Sequence, residues 1–367
     1  MNNTIVLKRM EVQGFKSFAN KKCIEFSPKS NAVMGPLAGK SNFLKAIHWA
    51  LTDKTDSYEA EHIFAGTEEH APMNFAEVTL IFEDKDKDDT CVSVKRHIEK
   101  INNGELLDVH VINGETVLAN EFQNRLQSVG LAQPLYWNYE KITSLGENCL
   151  PLLFEEVIGD TIAEYHSKEF YHFQGPFETL RMLLANNKKA EQKYPNDKSI
   201  KAAIKDIEKT LRNGEEEYKT HRIKSMQFRD FYEKIVQTFQ DLFPQIVEGG
   251  TAELRVLNAD VWSDAKCEFF VQFPHRMMIS SRQFSSTEKA LVSFVLLLAV
   301  HSAFPCPFCL LDSHAVSLPV FYNMYNILQK LEEKTQVFVT TSNWNLATAT
   351  KNLISITDYG FKCHAIH

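Results

Sequence analysis

A chain of 367 residues with 44% hydrophobic content can bury one large core or two moderate ones, which excludes a disordered protein. Its 47 acidic and 40 basic residues leave a formal charge of −7, so any nucleic-acid contact has to be a local basic patch. Seven scattered cysteines, an odd number, fit reduced thiols better than a disulfide framework.

The opening residues MNNTIVLKRM carry no apolar core of signal-peptide length. The longest apolar run, Ala290 to Val300, is too short to span a bilayer and reads as a buried helix. The expectation is a soluble, intracellular protein with no membrane partner.

The stretch IVLKRMEVQGFKSFANKKCIEF alternates in strand fashion around a break at Gly14, and NAVM then runs into MGPLAGKSN. A phosphate loop reads G-x-x-x-x-G-K-[ST]: backbone N–H groups cradle phosphates, the lysine reaches the β/γ-phosphates and the hydroxyl holds Mg²⁺. Here only three residues separate Gly35 from Gly39. After Ser41, Phe43, Leu44, Ile47, Trp49 and Leu51 recur at helical spacings, and strand, loop, helix is the context such a loop requires.

FAEVTLIFED and TCVSVKRHIEK alternate with period two around the charged turn DKDKDD and predict a hairpin, the charge run being a solvated turn. GELLDVHVINGETV predicts another, turning at Asn113-Gly114. From about Leu152 the pattern becomes helical. Phe177, Leu180 and Leu184 mark one helix, and Ile200, Ile204, Ile207 and Leu211, spaced four, three, four, mark a coiled-coil seam beyond a break at Pro195. These predict an antiparallel hairpin of roughly 30 residues per arm, about 45 Å long at 1.5 Å per residue. A second amphipathic helix, MQFRDFYEKIVQTFQDLFPQIVEGG, ends at or just after Pro244.

Strand-like TAELRVL and KCEFFVQF follow, then the apolar helix, PFCLLDSH, a helix VFYNMYNILQKLEEK and a strand TQVFVTTS. An apolar strand ending in Asp, a helix, and an apolar strand ending in Thr or Ser make doubly wound α/β architecture, with the helical hairpin inserted into it. Cys306 and Cys309 form one CxxC pair that Cys363, His364 or His367 would complete only if the segments met. A single CxxC is weak evidence, so Cys309 is read as a core residue of a buried strand and no zinc is expected.

Taken in order, LKRMEVQGFKSFANKKCIEF, MGPLAGKSNFLKAIHWAL, HIFAGTEEHAPMNFAEVTLIF and LFEEVIGDTIAEY resemble the N-terminal half-head of a structural maintenance of chromosomes (SMC) ATPase. FYEKIVQTFQDLFPQIVEGGTAEL, FSSTEKALVSF, PFCLLDSHAVSLP and VFVTTS resemble its C-terminal half. The resemblance implies an α/β fold of the ABC-type ATPase head class. It divides the chain into an N-terminal half at 1–165, a short helical hairpin at 166–220 replacing arms and hinge, and a C-terminal half at 221–367. It also implies that the protein neither dimerises stably through a hinge nor encloses DNA with arms.

The resemblance assigns the chemistry residue by residue. The family's phosphate loop GPNGSGKSN is matched at Gly35, Pro36, Gly39, Lys40, Ser41 and Asn42, with Leu37-Ala38 replacing three middle residues. Ser41 and Asp312 stand at the Mg²⁺-binding positions. The Glu that polarises attacking water is replaced by Ser313, which is no base near neutral pH without a partner, and the adjacent His314 is expected to point to the opposite face.

The signature LSGGQ reads FSSTE: Ser285 is kept, Ser286 and Thr287 replace the glycines, and Glu288 brings negative charge near the phosphate. Ala315 and Pro319 stand where the family has Asp, and Tyr139 or Glu140, depending on alignment, falls at its Mg²⁺-sensing Gln. Thr340-Thr341 match the switch segment.

The resemblance therefore implies a pseudo-ATPase with no catalytic residue and weakened ATP/Mg²⁺ binding. It resembles a hinge-less, arm-less SMC-like regulator of condensin, nuclear and chromosome-associated. Its expected partners are SMC subunits and the kleisin of condensin, with DNA reached only indirectly. The alternative is a slow ATP-hydrolysing head completed by a partner SMC subunit. Lys8, Arg9, Lys16, Lys21 and Lys22 read as solvated lysines and an arginine, or as a nucleotide-end or DNA-facing cluster. Phe228, Phe231, Ile235 and Phe239 read as neck and core packing, or as a kleisin groove.

Overall fold

The computed structural model describes residues 5–35, 37–52, 59–84, 91–101, 105–131, 135–138, 149, 153, 174–257, 265–304, 307–312, 329, 331–333, 335–342, 344–348, 350–357 and 360–365. The chain forms two compact units. One comprises Met1–Gly146, Ile235–Leu254 and Glu268–His367, and the other Glu147–Lys234 and Arg255–Cys267.

In the first unit, β1 (Ile5–Gln13), β2 (Lys22–Glu25), β4 (Phe75–Asp84), β5 (Cys91–Lys100), β6 (Leu106–Ile112) and β7 (Glu115–Val117) make an antiparallel sheet in the order β2-β1-β4-β5-β6-β7. Both hairpins expected from the sequence are present. Period-two patterning sends Ala76, Val78, Leu80 and Phe82 of β4 inward while the residues between them stay half exposed. Asn113 and Gly114 turn the chain between β6 and β7 with φ of 51° and 83°, the double positive φ that a two-residue hairpin turn needs.

A second sheet collects β3 (Ser30–Met34), β8 (Leu135–Asn138), β12 (Phe308–Asp312), β13 (Gln336–Thr340), β14 (Asn352–Thr357) and β15 (Gly360–Ala365) in the order β15-β14-β3-β13-β12-β8. Every neighbouring pair is parallel except β14 with β15. β12 and β13 are buried along their whole length, which is why they read as unbroken apolar runs rather than alternating ones. One core joins the two sheets through α1 (Leu37–Ala50): Phe43, Leu44 and Ile47 share it with Leu80 and Phe82 of β4, with Phe122 and Leu126 of α2 (Ala119–Ser128), and with Leu310, Phe338 and Ile354.

The apolar run forms α5 (Ser286–Ala303), buried at every position from Ala290 to Val300. By length and composition alone this helix would also pass as a membrane span; its burial within the fold identifies it as a core helix. A short sheet of β9 (Thr251–Leu257), β10 (Lys266–Gln272) and β11 (Ile279–Ser280) precedes it. The helix expected over VFYNMYNILQKLEEK lies mostly outside the described residues.

The helical region departs from expectation. α3 is described over Gln174–Lys193, and α4 runs from Lys198 to Ile246 without interruption, 49 residues. The seam helix and the second amphipathic helix are thus one element, about 74 Å long at 1.5 Å per residue. Gly214 does not break it, because a single glycine costs a helix interior only about 1 kcal/mol. Asp197 caps the start of α4, accepting from the backbone N–H of Ser199 at 2.8 Å, and Lys188 of α3 pairs with Glu208 of α4 at 2.8 Å. Ile204 and Leu211 of the seam are buried.

Candidate nucleotide site at the carboxyl edge of the parallel sheet

In an open parallel sheet, ligands bind beyond the carboxyl ends of the strands. Here those ends bring together residues that the sequence scatters over more than 300 positions: Gly35 after β3, Asp312 closing β12, Thr340 closing β13 with Ser342 just beyond, and Ile356 on β14.

Only Gly35 and Pro36 separate β3 from α1, Pro36 itself lying outside the described residues. The sequence predicts a helix after Ser41, but it starts at Leu37, so Gly39, Lys40, Ser41 and Asn42 are already helical. The shortened loop cannot circle a phosphate before rejoining the helix axis, and Leu37-Ala38 are strong helix formers.

What little loop remains is pressed onto β14. Gly35 has φ +153°, and a Cβ there would come within 2.6 Å of both Cβ and the carbonyl oxygen of Ile356. A Cβ on Gly39 would meet Ile356 Cγ2 at 3.1 Å. The glycines thus allow close packing of loop and helix on a neighbouring strand.

Lys40 is 2% exposed, and its Nζ donates to Ser342 Oγ at 2.6 Å. Burial lowers its pKa below that of an ordinary lysine, and the nearby Asp312 charge opposes the shift. Thr340 Oγ1 donates to Asp312 Oδ1 at 2.6 Å, Asp312 itself being buried. Ser41 is half-buried, while Asn42 Nδ2 donates to Ser17 Oγ at 3.1 Å. Ser313, His314, Ala315, Pro319, Tyr139 and Glu140 lie outside the described residues.

These observations test the fit of a nucleotide and Mg²⁺. The loop is two residues long, its backbone is packed on Ile356, the lysine is bonded to a serine, and the aspartate already accepts a hydroxyl. As arranged, they do not make a cradle that fits a triphosphate and its metal. Ser342 and Ile356 were missed by sequence reasoning; Ser342 sits in the VFVTTS segment, whereas nothing in the sequence marks Ile356.

Ser285 caps α5. Its Oγ accepts from the Glu288 backbone N–H at 3.3 Å, and Glu288 Oε2 accepts from the Ser285 backbone N–H at 2.8 Å, closing a reciprocal capping box. Arg276 Nη1 pairs with the other Glu288 oxygen at 2.8 Å. The backbone bond from Ser285 is the main reason the Glu288 pKa falls below the usual carboxylate range. Glu288 thus keeps its negative charge and also starts the helix. Ser286 and Thr287 form the exposed first turn.

The basic cluster of the first strands is largely charge-paired. Lys8 meets Glu83 at 3.1 Å, and Glu11 takes both Arg9 at 3.1 Å and Lys21 at 2.9 Å. Phe228, Phe231, Ile235 and Phe239 are all within 1% of complete burial, so they form packing and line no open groove. Cys309 is buried in β12, and three strands separate it from β15, which holds Cys363 and His364. At about 4.8 Å per strand that places the two strands roughly 19 Å apart, too far for shared metal ligation. Cys306 and His367 lie outside the described residues.

The sequence profile described as "RecF/RecN/SMC N terminal domain" matches residues 6–363. The chain belongs to the RecF/RecN/SMC family. Within it, the chain is similar to the chromosome partition protein Smc of Halothermothrix orenii, 33% identical over 178 residues, covering 44% of this chain and 14% of that protein. It is 30% identical to Smc of Bacillus subtilis over 188 residues, covering 47% and 15% respectively. The chain thus spans about one seventh of the length of these relatives.

Among solved structures, this SMC-family chain resembles the Smc head domain of Pyrococcus furiosus, solved with an extended coiled coil and bound to the C-terminal domain of ScpA. The TM-score is 0.70 at 20% identity, covering 98% of this chain and 96% of that one. It also resembles the Smc head domain of Pyrococcus yayanosii, with a TM-score of 0.66 at 17% identity, covering 98% and 97%. The fold is an ABC-type ATPase head of the SMC class.

Proposed function

We propose that this SMC-type head is non-catalytic and acts by binding the SMC subunits of condensin, negatively regulating chromosome condensation from a nuclear, chromosome-associated location. The observation that carries the reading is that Lys40 and Asp312, retained from the family's phosphate and metal positions, are hydrogen-bonded to Ser342 and Thr340. Ser313 at the position of the water-polarising Glu points the same way. Nucleotide affinity is weakened because binding would have to break both internal bonds.

The two halves of the head are joined by the α3–α4 hairpin, and the sequence between them has no room for long arms or a hinge. What such a chain offers is head surface. A kleisin contact is proposed by analogy with the Pyrococcus furiosus head solved with the C-terminal domain of ScpA.

The test is single-turnover hydrolysis on purified protein with Mg²⁺-ATP, alongside co-purification from cell extract scored for condensin and cohesin subunits. No hydrolysis with recovery of condensin supports the reading. Retained Lys40, Ser41 and Asp312 favour the alternative of a slow ATPase completed by a partner head. Hydrolysis that disappears in Lys40→Ala would establish that alternative instead.

A further inference from the structure

We infer that the carboxyl edge of the parallel sheet is held shut by its own side chains, so that Lys40 serves as a structural cation and the head attains its final fold with neither phosphate nor Mg²⁺. The inference rests on the non-catalytic reading and deepens it: the site is a lock between strands rather than a weakened nucleotide pocket.

Four strands meet in this lock. Lys40, in the first turn of α1 after β3, reaches Ser342 beyond β13 at 2.6 Å. Thr340 at the end of β13 reaches Asp312 at the end of β12, also at 2.6 Å. Ile356 of β14 fills the space against Gly35 and Gly39. The backbone extends the same contacts, with Thr341 N–H donating to Val33 O at 3.0 Å.

Taking a lysine of 2% exposure out of water costs free energy unless its ammonium is bonded, and Ser342 Oγ together with the Asp312 charge supplies the compensation. In a pocket awaiting nucleotide, the ligand would complete these interactions. Here the protein has completed them, and a nucleotide would compete with Ser342 and Thr340 for its own contacts.

Thermal unfolding of the full chain, with Mg²⁺-ATP as the probe, separates the two. A ligand that binds the folded state raises the midpoint, with the logarithm of its concentration once that exceeds the dissociation constant. The lock predicts no rise with millimolar Mg²⁺-ATP. It also predicts that Lys40→Met and Ser342→Ala each lower the midpoint by several degrees without nucleotide, the double variant falling no further than the worse single one because the two share one bond. If Lys40→Met fails to fold, Ser342→Ala carries the test alone.

A midpoint that climbs with Mg²⁺-ATP, or a Ser342→Ala variant as stable as the wild type, overturns the lock. Condensin recovery scored on the same preparations keeps the two readings apart. A nucleotide-sensitive midpoint with condensin recovered removes only the lock. A nucleotide-insensitive midpoint with none recovered removes only the partner.

Discussion

The side chain of Gln336 binds the main chain of Leu7 in both directions. Its Oε1 accepts from the Leu7 N–H and its Nε2 donates to the Leu7 carbonyl, each at 2.8 Å, across 329 residues of sequence. Nε2 also donates to the carbonyl of Ser27 at 2.8 Å. Leu7 lies where the ladder of β1 with β4 slips, the register passing from Leu7↔Phe82 to Arg9↔Ile81. Gln336, 2% exposed at the start of β13, patches that irregularity and ties the two sheets together.

Gln336→Leu would leave a buried N–H and buried carbonyls without partners. At roughly 1–3 kcal/mol for each of the two fully buried Leu7 groups, the loss should be about 2–6 kcal/mol, read as a lower urea midpoint with an unchanged slope. A variant as stable as the wild type would show that the bridge is incidental.

Arg96 is completely buried between both ends of a polar clasp. Nε and Nη2 bind the two oxygens of Asp108 at 3.1 and 2.6 Å, Nη2 also reaches Glu59 at 3.2 Å, and Nη1 donates to the Trp49 and Thr52 carbonyls at 3.1 and 3.2 Å. Its guanidinium carbon lies 4.6 Å from the Trp49 ring centroid, while Trp49 Nε1 donates to Glu59 at 2.9 Å. The cation thus sits at the C-terminal end of α1, where the helix dipole favours it. Arg96→Met takes the cation away from two carboxylates and should cost about 3–5 kcal/mol. Arg96→Lys should restore only part of this, because one ammonium cannot reproduce the fork. Equal stability of Lys and Arg variants by calorimetry would refute the geometric account.

The two glycines facing Ile356 should respond differently to alanine. Gly39→Ala meets the Cγ2 methyl of Ile356, which Ile356→Ala removes and Ile356→Val keeps. Gly35→Ala meets the Ile356 carbonyl and also carries φ +153°, and neither problem is removed by trimming a side chain. The expected order in thermal midpoint is wild type, then Gly39→Ala, then Gly35→Ala, with Ile356→Ala rescuing only the second. Rescue of Gly35→Ala would contradict the backbone contact.

Acidification should destabilise the head through buried histidines. Among the described residues, both ring nitrogens of His301 are unbonded, and burial pushes its pKa down to about 4. His62 is also lowered to about 4, by burial first and then by Lys16, Arg96 and Lys45. Each is depressed from an ordinary 6.5, so the unfolded chain binds the extra proton first as the pH falls. Their contribution is whole above pH 6.5 and is lost as the pH drops towards 4, by up to about 3 kcal/mol for the fully buried His301. His301→Leu should flatten the stability profile across that window. An unchanged slope would place the acid sensitivity elsewhere.

Much of the framework was legible from pattern. Alternation in FAEVTLIFED and the Asn113-Gly114 pair are local signals, since a strand's two faces and a tight turn's positive φ are set by neighbouring residues. The unbroken burial of β12 and β13 was legible for the same reason. The helical region was misread where a local cue was overruled: MQFRDFYEKIVQTF looked like a fresh start, but α4 runs through Gly214 without a break.

The candidate site divides in the same way. Its members Gly35, Lys40, Asp312 and Thr340 were identified from spacing and resemblance, and the missing loop residue was visible as a count. Their partners were not. Ser342 is 302 residues from Lys40, and Ile356 carries no chemical mark of its own.

By itself, then, the sequence determined the elements, their sheet class and the residues that stand at the motif positions the resemblance supplies, because each depends on periodicity or on residue type at short range. The tertiary structure alone decided that Lys40 turns to Ser342, that Asp312 takes Thr340 and that Gln336 closes on Leu7. Parallel strands distant in the chain place their carboxyl ends side by side, and side-chain bonds form according to that packing rather than to distance along the chain.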